Sequence, residues 1–211
     1  MRTGRDVSPL LEPPAGGRPP PYVSTQPLSL LVVALLLVAA ATLAYHAYLN
    51  GVSIPGLLIL ALAAVTSLTW LQRAYRNLAA LGVAETRDSP ASAVAWFLIP
   101  LANWFLPYSV LRDLYKLSDR SDPHGLSQSQ PWLIRLWWLF WAAPPAASLI
   151  SLLVFERPGL GTASAGADAL LSFDLASLAI ASVLAAIIII RVTALQQAGR
   201  RMLKDEADVG L

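Results

Sequence analysis

From Leu28 to Leu49, and again from Pro55 to Leu71, the chain runs without one charged residue and is rich in Leu, Ala and Val. A backbone inside hydrocarbon has no water to bond, so it must satisfy its own N–H and C=O groups, which leaves the helix or the closed barrel. Continuous apolar runs, as opposed to alternation, select the helix. At about 1.5 Å of rise per residue the first run crosses a layer roughly 30 Å thick. Further runs cover residues 90–111, Trp132 to Phe155 and Leu170 to Val192. With 56% apolar and only 13% charged residues, the composition is that of an all-α integral membrane protein. The arrangement expected is four transmembrane helices, about 28–49, 55–71, 132–155 and 170–192, plus a re-entrant helical hairpin over 90–111; five transmembrane helices are the alternative.

The charges choose between these two. If all five runs cross, the 15 Lys and Arg residues divide almost evenly between the faces, against the positive-inside bias. If the third run enters and leaves by one face, every basic residue except Arg157 falls on one side. The third run also breaks helical bonding by itself. Pro100 cannot donate to the carbonyl of Trp96, and Pro107 cannot donate to that of Asn103. Asn103 tolerates turn geometry. Half-helices over Ser92 to Ile99 and Trp104 to Lys116, joined at Pro100 to Asn103, are therefore expected. In the fourth run, Pro144 and Pro145 free the carbonyls of Phe140 and Trp141, and the Pro100 to Asn103 turn is expected to pack there, with Asn103 donating its amide to one of them.

The flanks read differently. Residues 1–27 hold "EPPAGGRPPP" and read as a disordered, Pro-rich cytoplasmic tail; the long apolar run behind it is unlike a secretory signal. Residues 28–197 form the helical membrane domain, and 198–211 a polar C-terminal tail. In "WLQRAYRNLAALG", Leu71, Tyr75, Leu78 and Leu81 share one side and Arg73, Arg76 and Asn77 the other, with the helix stopping at Gly82. Trp70 is expected at headgroup depth. Arg73, Arg76, Arg200 and Arg201 are expected to meet anionic lipid headgroups, with Asn77 or Arg73 alternatively capping the hairpin backbone.

Three groups of residues then come together. Trp70, Arg73, Ala74 and Asn77 form W-x2-R-A-x2-N, Pro100, Asn103, Pro107 and Tyr108 form P-x2-N-x3-P-Y, and Arg191, Thr193 and Gln196 follow the last run. In these the chain resembles, over roughly residues 55–197, a bacterial integral-membrane family catalogued only as a domain of unknown function. The resemblance implies a membrane fold and supplies no activity, substrate or cofactor.

No catalytic residue, metal site or cofactor site is expected. There is no cysteine, His46 and His124 have no ligand partner at helical spacing, and neither a nucleophile elbow nor a phosphate loop occurs. Basic residues scattered between apolar runs do not suit nucleic acid. The expectation is a non-enzymatic membrane interaction or scaffold protein with a basic cytoplasmic face, its partners the lipid bilayer and either itself or another membrane protein. A small channel or transporter using the hairpin is the alternative. Few Lys beside many Arg, with abundant Ala and Leu, fits a GC-rich coding sequence, so a bacterial plasma membrane is expected, with both termini cytoplasmic.

Overall fold

The structure, a computed structural model, describes residues 21–49, 51–83, 85–119, 132–155 and 163–209. The tail before residue 21, the connection holding His124 and the loop holding Arg157 lie outside the described residues. Among the described residues are six helices, α1 (Gln26–Leu49), α2 (Ile54–Ala80), α3 (Pro90–Leu98), α4 (Leu106–Ser118), α5 (Trp132–Phe155) and α6 (Ala163–Val209), with a 3₁₀ turn at Ala102–Trp104. Four of them, α1, α2, α5 and α6, are long and apolar enough to cross a membrane. This is a helical membrane protein. Large apolar side chains such as Leu30, Leu58, Leu62 and Val65 lie exposed on its flanks, as suits a surface that meets an apolar environment.

Each helix end has a local cause. The tight α1–α2 connection is held by Ser53, whose Oγ accepts from the Gly56 amide at 3.2 Å and lies 2.8 Å from His46 Nε2. A Cβ on Gly56 would meet His46 Nε2 at 2.8 Å, so a larger residue there would push the imidazole off the Ser53 hydroxyl. At the far end of α2 the Gly82 amide donates to Ala79 and that of Val83 to Leu78, both at 3.1 Å. Gly82 takes φ 85°, so α2 ends in a Schellman motif, at the glycine the sequence singles out. Ser89 caps α3 through the Ser92 amide at 3.0 Å. The helix ends because Ile99, next to Pro100, is extended at ψ 115°. Pro107 then sits in the first turn of α4, where a missing N–H costs nothing. The third run is therefore two short helices with a break between them, while α5 continues through Pro144 and Pro145.

The main core threads α1, α2, α4, α5 and α6, through Val32, Trp70, Leu114, Ile134 and Ile188 among others. α1 packs chiefly on α6, α5 also lies against α6, and α3 lies against α2. α6 extends for 47 residues, well beyond the apolar run of 170–192. Asp174 consequently sits three turns inside it, accepting from Ser148 at 3.4 Å. Arg191, Thr193 and Gln196 likewise lie within the helix and do not follow it.

Candidate functional site

Two polar constellations stand out in this apolar bundle. The first gathers at the end of α2. Trp70, Ala74 and Asn77 recur at three- and four-residue spacing and so share one face, and all three are buried, with Asn77 only 2% exposed. Asn77 thus faces inward, contrary to its expected place beside Arg73 and Arg76, which are exposed. It does not cap the α3–α4 backbone either. Its Nδ2 donates to the Val23 carbonyl at 2.8 Å and its Oδ1 accepts from the Val23 amide at 3.1 Å. One side chain therefore satisfies both backbone groups of a residue 54 positions earlier.

Gln196 of α6 completes this clasp and is 0% exposed. Its Nε2 donates to the Ala74 carbonyl at 2.9 Å and to Ser118 Oγ at 3.1 Å, while its Oε1 receives Asn77 Nδ2 at 3.5 Å. Trp70 was expected at the interface, but it lies in the core and its indole donates to Thr193 Oγ1 at 3.2 Å. Tyr75 donates from its hydroxyl to the Val110 carbonyl at 2.8 Å. An unpaired buried polar group costs about 1–3 kcal/mol, so these pairings fix the register of α2, α4 and α6.

The clasp also reaches into the tail. Residues Tyr22 to Pro27, read from the sequence as part of a disordered segment, are held: Thr25 is fully buried, and α1 already begins at Gln26. The Arg200 guanidinium lies 4.7 Å from the centre of the Tyr22 ring. Burial pushes the Tyr22 hydroxyl above its usual range, against the charge of Arg200, so the ring is neutral at neutral pH. Arg201 is exposed beside it in sequence. Hydropathy misses this docking because no apolar period marks Tyr22 to Thr25.

The second constellation surrounds the break between α3 and α4, which meets α5 at Trp138 and Trp141, short of the Pro144–Pro145 segment singled out in the sequence, and with the donors reversed. Trp138 donates its indole N–H to the Trp104 carbonyl at 2.8 Å, and Trp141 donates to the Asn103 carbonyl at 3.4 Å. Asn103 makes no bond to the carbonyls of Phe140 or Trp141; its backbone amide donates to Ile99 at 2.8 Å, and its Oδ1 is buried without a partner. The acceptors freed at Pro144 and Pro145 are thus not what holds the break. Indoles reach further than an amide, and two of them three residues apart share one face of α5. Tyr108 meets Trp138 edge-on with ring centres 6.0 Å apart, Pro107 is buried, and Pro100 is exposed.

Beside Asn103 lies a cavity of about 430 Å³. Trp137 and Trp141, stacked at 5.6 Å, form one wall, and α1, α2 and α6 offer it small residues including Ala39, Ala63 and Ala185. Besides Asn103 and the indoles of Trp70, Trp137 and Trp141, its polar lining consists of Ser67 and Ser182, whose hydroxyls donate to their own helices at 2.7 and 2.8 Å. Among the described residues no group of His, Cys, Asp or Glu is arranged to hold a metal ion.

A family model described as a domain of unknown function (DUF4328) matches residues 35–194. That span holds both motif groups, the cavity and Thr193, and it takes in most of α1. No curated protein and no solved structure matches the chain.

Proposed function

The chain belongs to the DUF4328 family, and from that premise we propose that it is a non-enzymatic membrane interaction or scaffold protein of a bacterial plasma membrane, with both termini and a basic face cytoplasmic. One observation carries the reading. At the clasp the polar side chains of α2 and α6 are spent on one another and on backbone, while Arg73, Arg76 and Arg201 point outward at that same end. Buried polarity assembles the bundle, and exposed positive charge is left for a partner. Anionic lipid headgroups meet such charge at about 1 kcal/mol per residue, and the exposed apolar flanks are open to lipid, to a second copy or to another membrane protein.

In this reading the α3–α4 pair is re-entrant. What supports it is the Gln196 bridge: Ala74, before the third run, and Ser118, after it, bond one amide nitrogen at 2.9 and 3.1 Å. A run that crossed about 30 Å of hydrocarbon would separate them by that depth. The charge division agrees, and irregular backbone at depth is tolerated where protein covers it. The channel alternative is weaker, because the space beside the break offers almost no polar lining to a permeating ion.

Three measurements test this. Cysteines placed at Ser89 and Ser121 should both resist an impermeant thiol reagent in intact cells; labelling of Ser121 alone would refute re-entrance. The joint substitution of Arg73, Arg76, Arg200 and Arg201 by Gln should cut co-purifying anionic lipid several-fold while leaving the melting temperature nearly unchanged. Ion flux through proteoliposomes above the empty-vesicle rate would overturn the scaffold reading.

A further inference from the structure

α3 and α4 stand between α2 and α5: α2 packs on α3 and α4, and α5 on α4 and α6. In the re-entrant reading, on which this inference rests, the pair turns back after the nine residues of α3, or about 14 Å at 1.5 Å each. A core about 30 Å thick then holds protein in only half of that gap. One stripe of α2 records where the cover stops. Leu57, Ala61, Ala64, Leu68, Leu71 and Tyr75 share a face at alternating four- and three-residue spacing. The first three are exposed, Leu68 is half-buried, and Leu71 and Tyr75 are buried. At the level of the change, the turn itself leaves Leu98 and Leu101 uncovered, at 68% and 84%.

The cavity of about 430 Å³ opens at this point, where Ala64 and Leu98 line it yet are exposed. Leu60 and Leu71 mark its ends on α2, as Leu178 and Ile189 do on α6. Each pair spans about 16 Å of helix, close to the ~15 Å that the chains of one leaflet contribute to the core. At the end away from the basic face Leu60 and Leu178 pack against Leu43, and from there the space runs behind α3 along the stacked Trp137 and Trp141. A transmembrane helix about 10 Å across would displace roughly 1,200 Å³ over that length, nearly three times what is present. Little inside rewards a polar group. The Asn103 oxygen is closed off, and the hydroxyls of Ser67 and Ser182 donate to their own helices.

We propose that one acyl chain of a phospholipid in the leaflet opposite the basic end occupies this space, entering beside the turn and running methyl end first behind α3 toward Trp137 and Trp141. Such chains surround the mouth at a concentration no dissolved ligand matches, lie along the same axis, and have the length the space requires. An apolar wall without neighbours forfeits dispersion contacts, and the chain restores them. It completes the half of a span that the hairpin leaves out, and it does not depend on the headgroup contacts of the basic face.

The test uses the whole chain in vesicles of phosphatidylcholine and phosphatidylglycerol. These are doped with phosphatidylcholine carrying a diazirine either at the end of one acyl chain or next to its carbonyl, and adducts formed on irradiation are located by peptide mass spectrometry. The chain-end probe should mark Ser67 and Trp137, the latter only 4% exposed, several-fold more than the carbonyl-side probe does, and the order should reverse at Leu60. Ala185→Phe, which puts a ring into the space, should cut chain-end labelling of Trp137 several-fold and leave that of exposed Ile187 unchanged. The wild-type pattern decides even where the variant fails to fold. No adducts at Ser67 and Trp137, a carbonyl-side excess there, or undiminished labelling in a folded Ala185→Phe would overturn the proposal. External labelling of a cysteine at Ser121 would remove the hairpin and this proposal together, whereas missing interior adducts with Ser121 shielded would remove the chain site alone.

Discussion

Replacing Asn77 with Leu should release the segment before α1 without unfolding the bundle. The wild-type side chain makes two bonds to Val23, at 2.8 and 3.1 Å, and Leu makes neither. At about 1 kcal/mol for each intramolecular hydrogen bond the loss is about 2 kcal/mol, which multiplies the undocking constant about thirtyfold. The Val23 amide reports this directly, because its hydrogen exchanges with solvent only when the bond to Asn77 Oδ1 opens. Residue-resolved deuterium exchange in micelles should show Val23 exchanging about thirtyfold faster, with the amide of Ile188 in the core of α6 unchanged. Arg200→Gln removes only the contact with the Tyr22 ring, worth about 0.5–1 kcal/mol, so it should accelerate Val23 exchange by about two- to fivefold. If Asn77→Leu leaves Val23 protected, or Arg200→Gln has the larger effect, the clasp is not what holds the segment. If Ile188 accelerates in step with Val23, the opening is global and the reasoning fails at that point.

Gly56→Ala should destabilise the protein by about 1–2 kcal/mol, since its Cβ would press on His46 Nε2, and His46→Ala in the same chain should recover part of that loss in a double-mutant melt. Trp138→Phe gives up a bond of 2.8 Å and Trp141→Phe one of 3.4 Å, so thermal stability should fall more for the first, by about 1 kcal/mol. Gln196→Leu strands Ser118 Oγ and removes a bond to the Ala74 carbonyl. It should lower stability by about 2–4 kcal/mol, whereas Gln197→Leu one position on should change it little.

The sequence announces its helices because an uncharged run admits no other backbone in hydrocarbon. It announces the break at Pro100 because a missing N–H is a local fact, and the stop at Gly82 because a left-handed residue is one too. What it conceals is partnership. Asn77 directly follows one exposed arginine and comes four positions after another, and helical period alone allows it either face. Its burial is settled by Val23 and Gln196, 54 and 119 positions away. Asn103 was legible as a turn residue, but its apolar surroundings come from α1, α2, α5 and α6 together. The extent of α6 had a signal that hydropathy overlooks. Beyond Val192 the chain turns polar, yet Ala, Leu, Gln, Arg, Met, Lys and Glu are strong helix formers and no proline intervenes.

The clasp imposes an order on synthesis. Gln196 bonds residues 122, 119 and 78 positions before it, and Trp70 waits for a hydroxyl 123 positions ahead. α1, whose chief neighbour is α6, has inserted long before that neighbour leaves the ribosome. At roughly 5–20 residues per second the interval lasts several seconds to about half a minute. During it Asn77, Trp70 and Ser118 have no native partner on α6 and must be served by interfacial water or by the insertion machinery. The last helix therefore acts as the bolt of the whole assembly, and a nascent chain arrested before Thr193 is the form that quality-control proteases should recognise first.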